Sequence, residues 1–164
     1  MILRDRVARA ATVTWDRAAR AAAVLLAATV LATTPGCASS PITAQRLEQA
    51  IAPTFANLYV LEESLRGRRV SVESLRPKAD CTKGGPTTPD RGPGEDWVCY
   101  VTWFKPGPDV AVVASYSVHV QTNGCYTADG EGPADLNGQK TLTTADGHTV
   151  TNPLWAFDGC FDIT

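Results

Sequence analysis

Cys81, Cys99, Cys125 and Cys160 divide the second half of this 164-residue chain into short covalently linkable segments. An even set of cysteines in an exported domain forms disulfides, whereas the same set in a reducing compartment stays free or binds metal. No Cys-x2-Cys pair occurs among the four, which argues against a four-thiolate zinc site. Four cysteines permit three connectivities. Pairing Cys81 with Cys99 and Cys125 with Cys160 is favoured, because each bond would close one hairpin or one sheet edge. Each such bond is expected to add about 2–4 kcal/mol.

The first 36 residues carry the evidence for export. Arg4, Arg6, Arg9, Arg17 and Arg20 precede the apolar run Ala21–Thr33, and Thr34-Pro35-Gly36 breaks it before Cys37. A basic start, a short apolar stretch and small residues at a cleavage point make a secretory signal peptide. The run holds 13 residues; a helix needs about 20 to span a bilayer. Gly36-Cys37 matches the last two positions of the bacterial lipobox, with Thr34 and Pro35 departing from it upstream. Cys37 is therefore the expected lipid-attachment residue. Ordinary signal cleavage near Ala38 and an uncleaved anchor are the competing readings, and Asp5 and Asp16 in the basic region leave a start downstream of Met1 open. No twin-arginine pair is present in the leader, which points to the general secretion route. The expected division is a signal peptide over 1–36, a tether over 37–42 and one domain over 43–164.

Charge narrows the partners. Five of the 15 Lys and Arg, but only two of the 17 Asp and Glu, fall in the first 36 residues, so the remainder carries about −5. Residues 106–164 contain seven acids and Lys140 as the sole Lys or Arg. Such a surface is a poor match for nucleic acid, whose phosphates need Lys and Arg. It also disfavours electrostatic binding to anionic lipid. The expected membrane link is covalent, through the lipid on Cys37.

Periodicity predicts one helix followed by antiparallel strands, an α+β domain with the helix packed on a sheet of about four to six strands. Leu47, Ile51, Phe55, Leu58 and Leu65 recur at helical steps over Thr43–Arg66, with Thr43 as a cap and Gly67 as a stop. Pro53 is expected to kink this helix near Gln49–Ala52 or to split it. Val70-Ser71-Val72 alternates and is read as the start of a strand leading through Leu75 toward Cys81, ended near Pro77. Thr82–Glu95 is half Gly and Pro and is expected to be a long exposed loop with a free tip. Trp97–Phe104 and Val110–Thr122 are the strongest strands, joined by the turn Pro106-Gly107-Pro108-Asp109. Asn123-Gly124 marks a tight turn into a short strand near Cys125–Ala128. Asp129–Gly138 is expected to be an acidic loop. Thr141–Thr144 and Thr149–Thr151 form a hairpin, and Leu154–Ile163 a last strand or docked tail.

Candidate chemistry is sparse. His119 lies on a polar strand face with Ser115 and Ser117, and His148 in a turn, without a nucleophile-elbow motif. Asp129, Glu131 and Asp135 share one Gly-rich loop, but their spacing does not follow the EF-hand order, so a solvated turn is favoured over a calcium site. Gly84-Gly85 is not followed by a helix that would complete a phosphate cradle. No metal, cofactor or catalytic residue is expected. Trp97, Trp103, Tyr116 and Trp155 either fill the core under the helix or line a ligand or partner surface.

The Ala/Arg-rich leader, the Pro35-Gly36-Cys37 junction and the four-cysteine domain resemble small uncharacterised lipoproteins of actinobacteria. The resemblance implies an extracytoplasmic, membrane-held protein and transfers no catalytic residue. The favoured function is a binding or accessory module that meets an envelope protein or cell-wall partner through a sheet face or the Thr82–Glu95 loop. A small-ligand carrier with a pocket between helix and sheet, involving Trp97, Trp103 and Tyr116, is the alternative. An enzyme ranks last.

Overall fold

The computed structural model describes residues 42–164 except 106, 108 and 109. The leader, Cys37, the tether up to Pro41 and most of the Pro106–Asp109 turn lie outside the described residues.

Helix α1 runs Ala44–Leu65. Its apolar stripe is buried at Leu47, Ile51, Phe55, Ala56 and Tyr59. Thr43 caps the start, its side-chain oxygen accepting from the Arg46 backbone N–H at 3.4 Å. The end is a Schellman turn: Gly67 N donates to Ser64 O at 3.0 Å and Arg68 N to Glu63 O at 2.8 Å. Gly67 at φ +75° supplies the left-handed residue the turn requires. The expected split at Pro53 does not occur; α1 is a single element through it. Pro53 and Gln49 are both exposed, so water can serve the Gln49 carbonyl that proline leaves unpaired. Thr54 Oγ1 bonds the next carbonyl, Ala50 O, at 2.9 Å.

Residues 70–77 also depart from expectation. The expected strand is instead a four-residue helix, α2, Val72–Leu75. Ser71 offers its carbonyl to both Ser74 N (3.2 Å) and Ser74 Oγ (2.7 Å), a local closure that outcompetes two alternating valines. Leu75 is fully buried, and the chain becomes extended only after Pro77.

Seven strands follow: β1 Lys78–Lys83, β2 Gly94–Phe104, β3 Ala111–Val120, β4 Cys125–Gly132, β5 Thr141–Thr143, β6 Thr149–Thr151 and β7 Ala156–Cys160. Five form one antiparallel sheet ordered β1-β2-β3-β4-β7, and β5-β6 form a separate hairpin. α1 packs on one face of the large sheet. Phe55 meets the Trp103 ring at 4.7 Å and the Tyr116 ring at 6.3 Å. Tyr126 reaches Thr54 Oγ1 at 3.3 Å from the sheet side. Burial of large side chains at about 1.5–3 kcal/mol each makes this layer the main source of stability.

The bridges join Cys81 to Cys99 and Cys125 to Cys160. Both pairs are cross-strand neighbours, and each ties an edge strand to its inner partner, β1 to β2 and β7 to β4. They fit an oxidising, extracytoplasmic compartment.

Two loops differ from expectation. The segment between β1 and β2 shrinks to residues 84–93 and docks on the start of α1. Arg91 pairs with Thr43 as an isolated bridge, Ala44 N donates to Asp90 O at 3.1 Å and Gly92 N to Ile42 O at 2.9 Å. Lys83 Nζ donates to Pro93 O at 2.6 Å. Polar backbone groups at the helix entry find their partners in the loop, which holds it down. On the far side, β4 extends to Gly132, so Asp129 and Glu131 lie in a strand and not in a loop. Pairing with β3, accommodated by a register shift near Ser115 and Tyr116, overrides the weak strand preference of the glycines. Gly130 is needed for space: a Cβ there would collide with the Asn137 backbone carbonyl.

Candidate functional site

The aromatics proposed for a ligand surface divide. Trp97, Trp103 and Tyr116 are at most 1% exposed and belong to the core under α1. Trp97 donates its indole N–H to Gly92 O at 3.1 Å, and Tyr116 its hydroxyl to Leu154 O at 3.2 Å. Rings enclosed to this degree cannot present a surface. Trp155 is half-buried, with Lys140 Nζ 5.2 Å from its ring centre.

The histidines and acids do not converge. His119 Nδ1 is 3.5 Å from Glu95 Oε1, both side chains well exposed on the uncovered sheet face. Ser117 donates to Glu131 Oε1 at 2.8 Å. His148 lies 3.7 Å from Asp146 in the exposed β5–β6 turn. Asp129, Glu131 and Asp135 are spread over β4 and the following turn. Among the described residues no group of three or more His, Cys, Asp or Glu is arranged to hold a metal. Among them, too, no helix is long and apolar enough to cross a membrane.

A charged cleft of about 360 Å³ opens at the C-terminal end of α1. Tyr59, Glu62, Glu63 and Arg66 recur at helical steps and line one wall. The Schellman turn folds the chain back and brings Arg68, Arg69 and Val70 to a second wall. Lys105 after β2, with Asp135 and Leu136 from the turn after β4, complete it. That turn is fixed from below by the buried Asn137, whose amide donates to Ser115 O at 2.9 Å.

Its floor is ionic. Glu62 and Glu63 are 1% and 6% exposed. Arg66 Nη2 donates to Glu62 Oε1 at 2.5 Å, and Arg68 grips both oxygens of Glu63, Nη2 at 2.6 Å. Burial pushes the Glu62 carboxyl above its ordinary range, against the pull of Arg66. Burial likewise raises the Tyr59 hydroxyl. Glu62 Oε2 and Arg66 Nε, buried on the two halves of one ion pair, have no hydrogen-bond partner among the described residues. Orphaned buried polar atoms are costly and are met by a bound water or by a ligand; Trp103 Nε1 and Asn137 Oδ1, outside the cleft lining, are in the same position. A second, more polar groove of about 450 Å³ shares Arg66 and Asp135 with the cleft and is walled by Thr141, Thr143 and Asn152.

Sequence reasoning missed Glu62 as a site residue. The signal was its phase: Glu62 stands four residues after Leu58 and seven after Phe55, on the apolar stripe, with Arg66 four residues further on.

No family model, curated protein or solved structure matches this chain.

Proposed function

We propose that this chain is an extracytoplasmic binding module, held to the membrane by lipid on Cys37, that takes its ligand in the cleft at the end of α1. The leader and the Gly36-Cys37 junction support the anchor, and two disulfides support export. The observation that carries the binding site is Glu62, a buried carboxylate with one oxygen tied to Arg66 and the other unspent. The cleft lies at the small end of the ligand-pocket range of about 300–1,000 Å³, which favours a small molecule over a protein segment.

Two measurements test the two halves of this reading. Cys37→Ser should move the protein out of the membrane fraction, and retention there would remove the anchor. Amide resonances of Tyr59, Glu62, Arg66 and Leu136 should shift when the low-molecular-weight fraction of the cell envelope is added. Shifts confined to other regions, or none, would remove the cleft.

A second reading rests on the sheet face that α1 leaves uncovered. Tyr100 and Val113 are each 49% exposed there, on adjacent strands and diagonal to one another, two residues apart in register. That face would suit a protein partner of the envelope, and shifts at these residues on adding solubilised envelope proteins would favour it.

A further inference from the structure

The chemistry of the cleft specifies a class of ligand, an inference that rests on the cleft being the binding site. Four cations and three acids line it. Arg66 and Arg68 are committed to Glu62 and Glu63. Arg69 and Lys105, both exposed at the rim, are in no ion pair among the described residues. The Asp135 carboxylate, exposed in the same lining and in no ion pair among the described residues, offsets one of them, so the uncommitted groups leave a single positive charge at the opening of a domain that is otherwise net negative.

The floor asks for something different. Glu62 Oε2 needs a donor and Arg66 Nε needs an acceptor; both are covered, so a ligand group meets them only by displacing the side-chain atoms above them. A hydroxyl is both, and can give its hydrogen to the carboxylate while accepting from the guanidinium. An ammonium would satisfy Oε2 alone and face Arg66 as a like charge; a methyl group would satisfy neither. Val70 and Leu136 are the aliphatic members of the lining, against which a short carbon skeleton can pack.

We propose that the cleft binds a small hydroxylated organic anion, the chemistry shared by sugar acids and sugar phosphates, with its anionic group on Arg69 and Lys105 and a hydroxyl on Glu62 and Arg66. Neither the anion nor the hydroxyl suffices alone.

The test is calorimetric titration of the full chain in detergent with glucuronate, glucose 6-phosphate, glucose and acetate. Glucuronate or glucose 6-phosphate should bind about tenfold or more tighter than glucose and acetate, as expected for one added charge-assisted contact. The ratio between the two anions distinguishes carboxylate from phosphate. Arg69→Ala with Lys105→Ala should weaken the better anion by about tenfold or more; both side chains are exposed, so an unchanged melting curve should accompany the loss. Glu62→Gln should reduce the preference for the hydroxylated anion over acetate, while Glu63→Gln reports the structural effect of altering a neighbouring ion pair. Equal binding of all four probes, no binding of any, or an unaffected double variant would overturn the ligand class. Envelope-induced shifts at Tyr59, Glu62, Arg66 and Leu136 would still stand as evidence for the cleft in that event.

Discussion

Cys125 and Cys160 face one another across β4 and β7 on the side of the sheet away from α1. Tyr126, Ala128 and Phe157, their alternating neighbours, point into the core. Cys81 and Cys99 have the opposite orientation and are 2% and 0% exposed. The two bonds thus close opposite edges of one sheet from opposite faces.

Mild reductant should open Cys125–Cys160 first, because thiolate attack needs access to a sulfur. Cys81–Cys99 should resist until the domain unfolds. By loop-closure entropy the bonds are worth about 4 and 3 kcal/mol, for separations of 35 and 18 residues. Losing the exposed one should lower the melting temperature by on the order of 10 °C. Mass spectrometry after stepwise alkylation gives the order, and simultaneous opening would show that exposure does not govern it.

Pro53→Ala should stabilise the protein by about 1–3 kcal/mol, since proline in a helix interior is about 3 kcal/mol worse than alanine. The side chain is exposed and its removal leaves no cavity. Urea unfolding midpoints measure the gain. A loss instead would mean that the ring sets a bend required by Phe55 and Ala56.

Glu62 makes stability depend on pH in a defined direction. Its carboxyl is raised by burial, so the folded state holds the proton more tightly than the unfolded one. The associated stability is complete below the unfolded value of about 4.3 and is lost as pH climbs through the higher folded value. Glu62→Gln should flatten the curve of stability against pH over that interval. Parallel curves for the two proteins would assign the dependence to other groups.

At the alkaline end, burial raises the hydroxyls of Tyr59, Tyr116 and Tyr126. Their contribution is complete below the free-phenol value of about 10 and disappears as pH passes through the folded values. Absorbance titration should show these three ionising late, in step with loss of the near-ultraviolet circular dichroism signal. Early ionisation of all three, with that signal intact, would contradict their packing.

Much of the architecture was legible because single-residue rules governed it. Thr43 and Gly67 bounded α1, and the alternation from Ala114 to Val120 determined which side of β3 is buried. Failures came where a distant partner decided. Residues 84–93 looked unstructured but are held by Ile42, Thr43 and Ala44, some fifty positions earlier. β4 outran its local propensity because β3 supplied pairing as far as Gly132. The cleft was illegible for the same reason: Glu62, Lys105 and Asp135 meet only after the sheet has formed.

The length of α1 has a consequence for where a ligand is met. Twenty-two helical residues extend about 33 Å. The five peptide steps from Cys37 to Ile42 span at most about 17 Å. With a lipid on Cys37, that reach would limit how far the start of α1 stands from the bilayer, while the cleft lies at the opposite end of the helix. Were the helix to stand away from the membrane, Arg69 and Lys105 would lie clear of the headgroup layer, where no phosphate crowd competes for them.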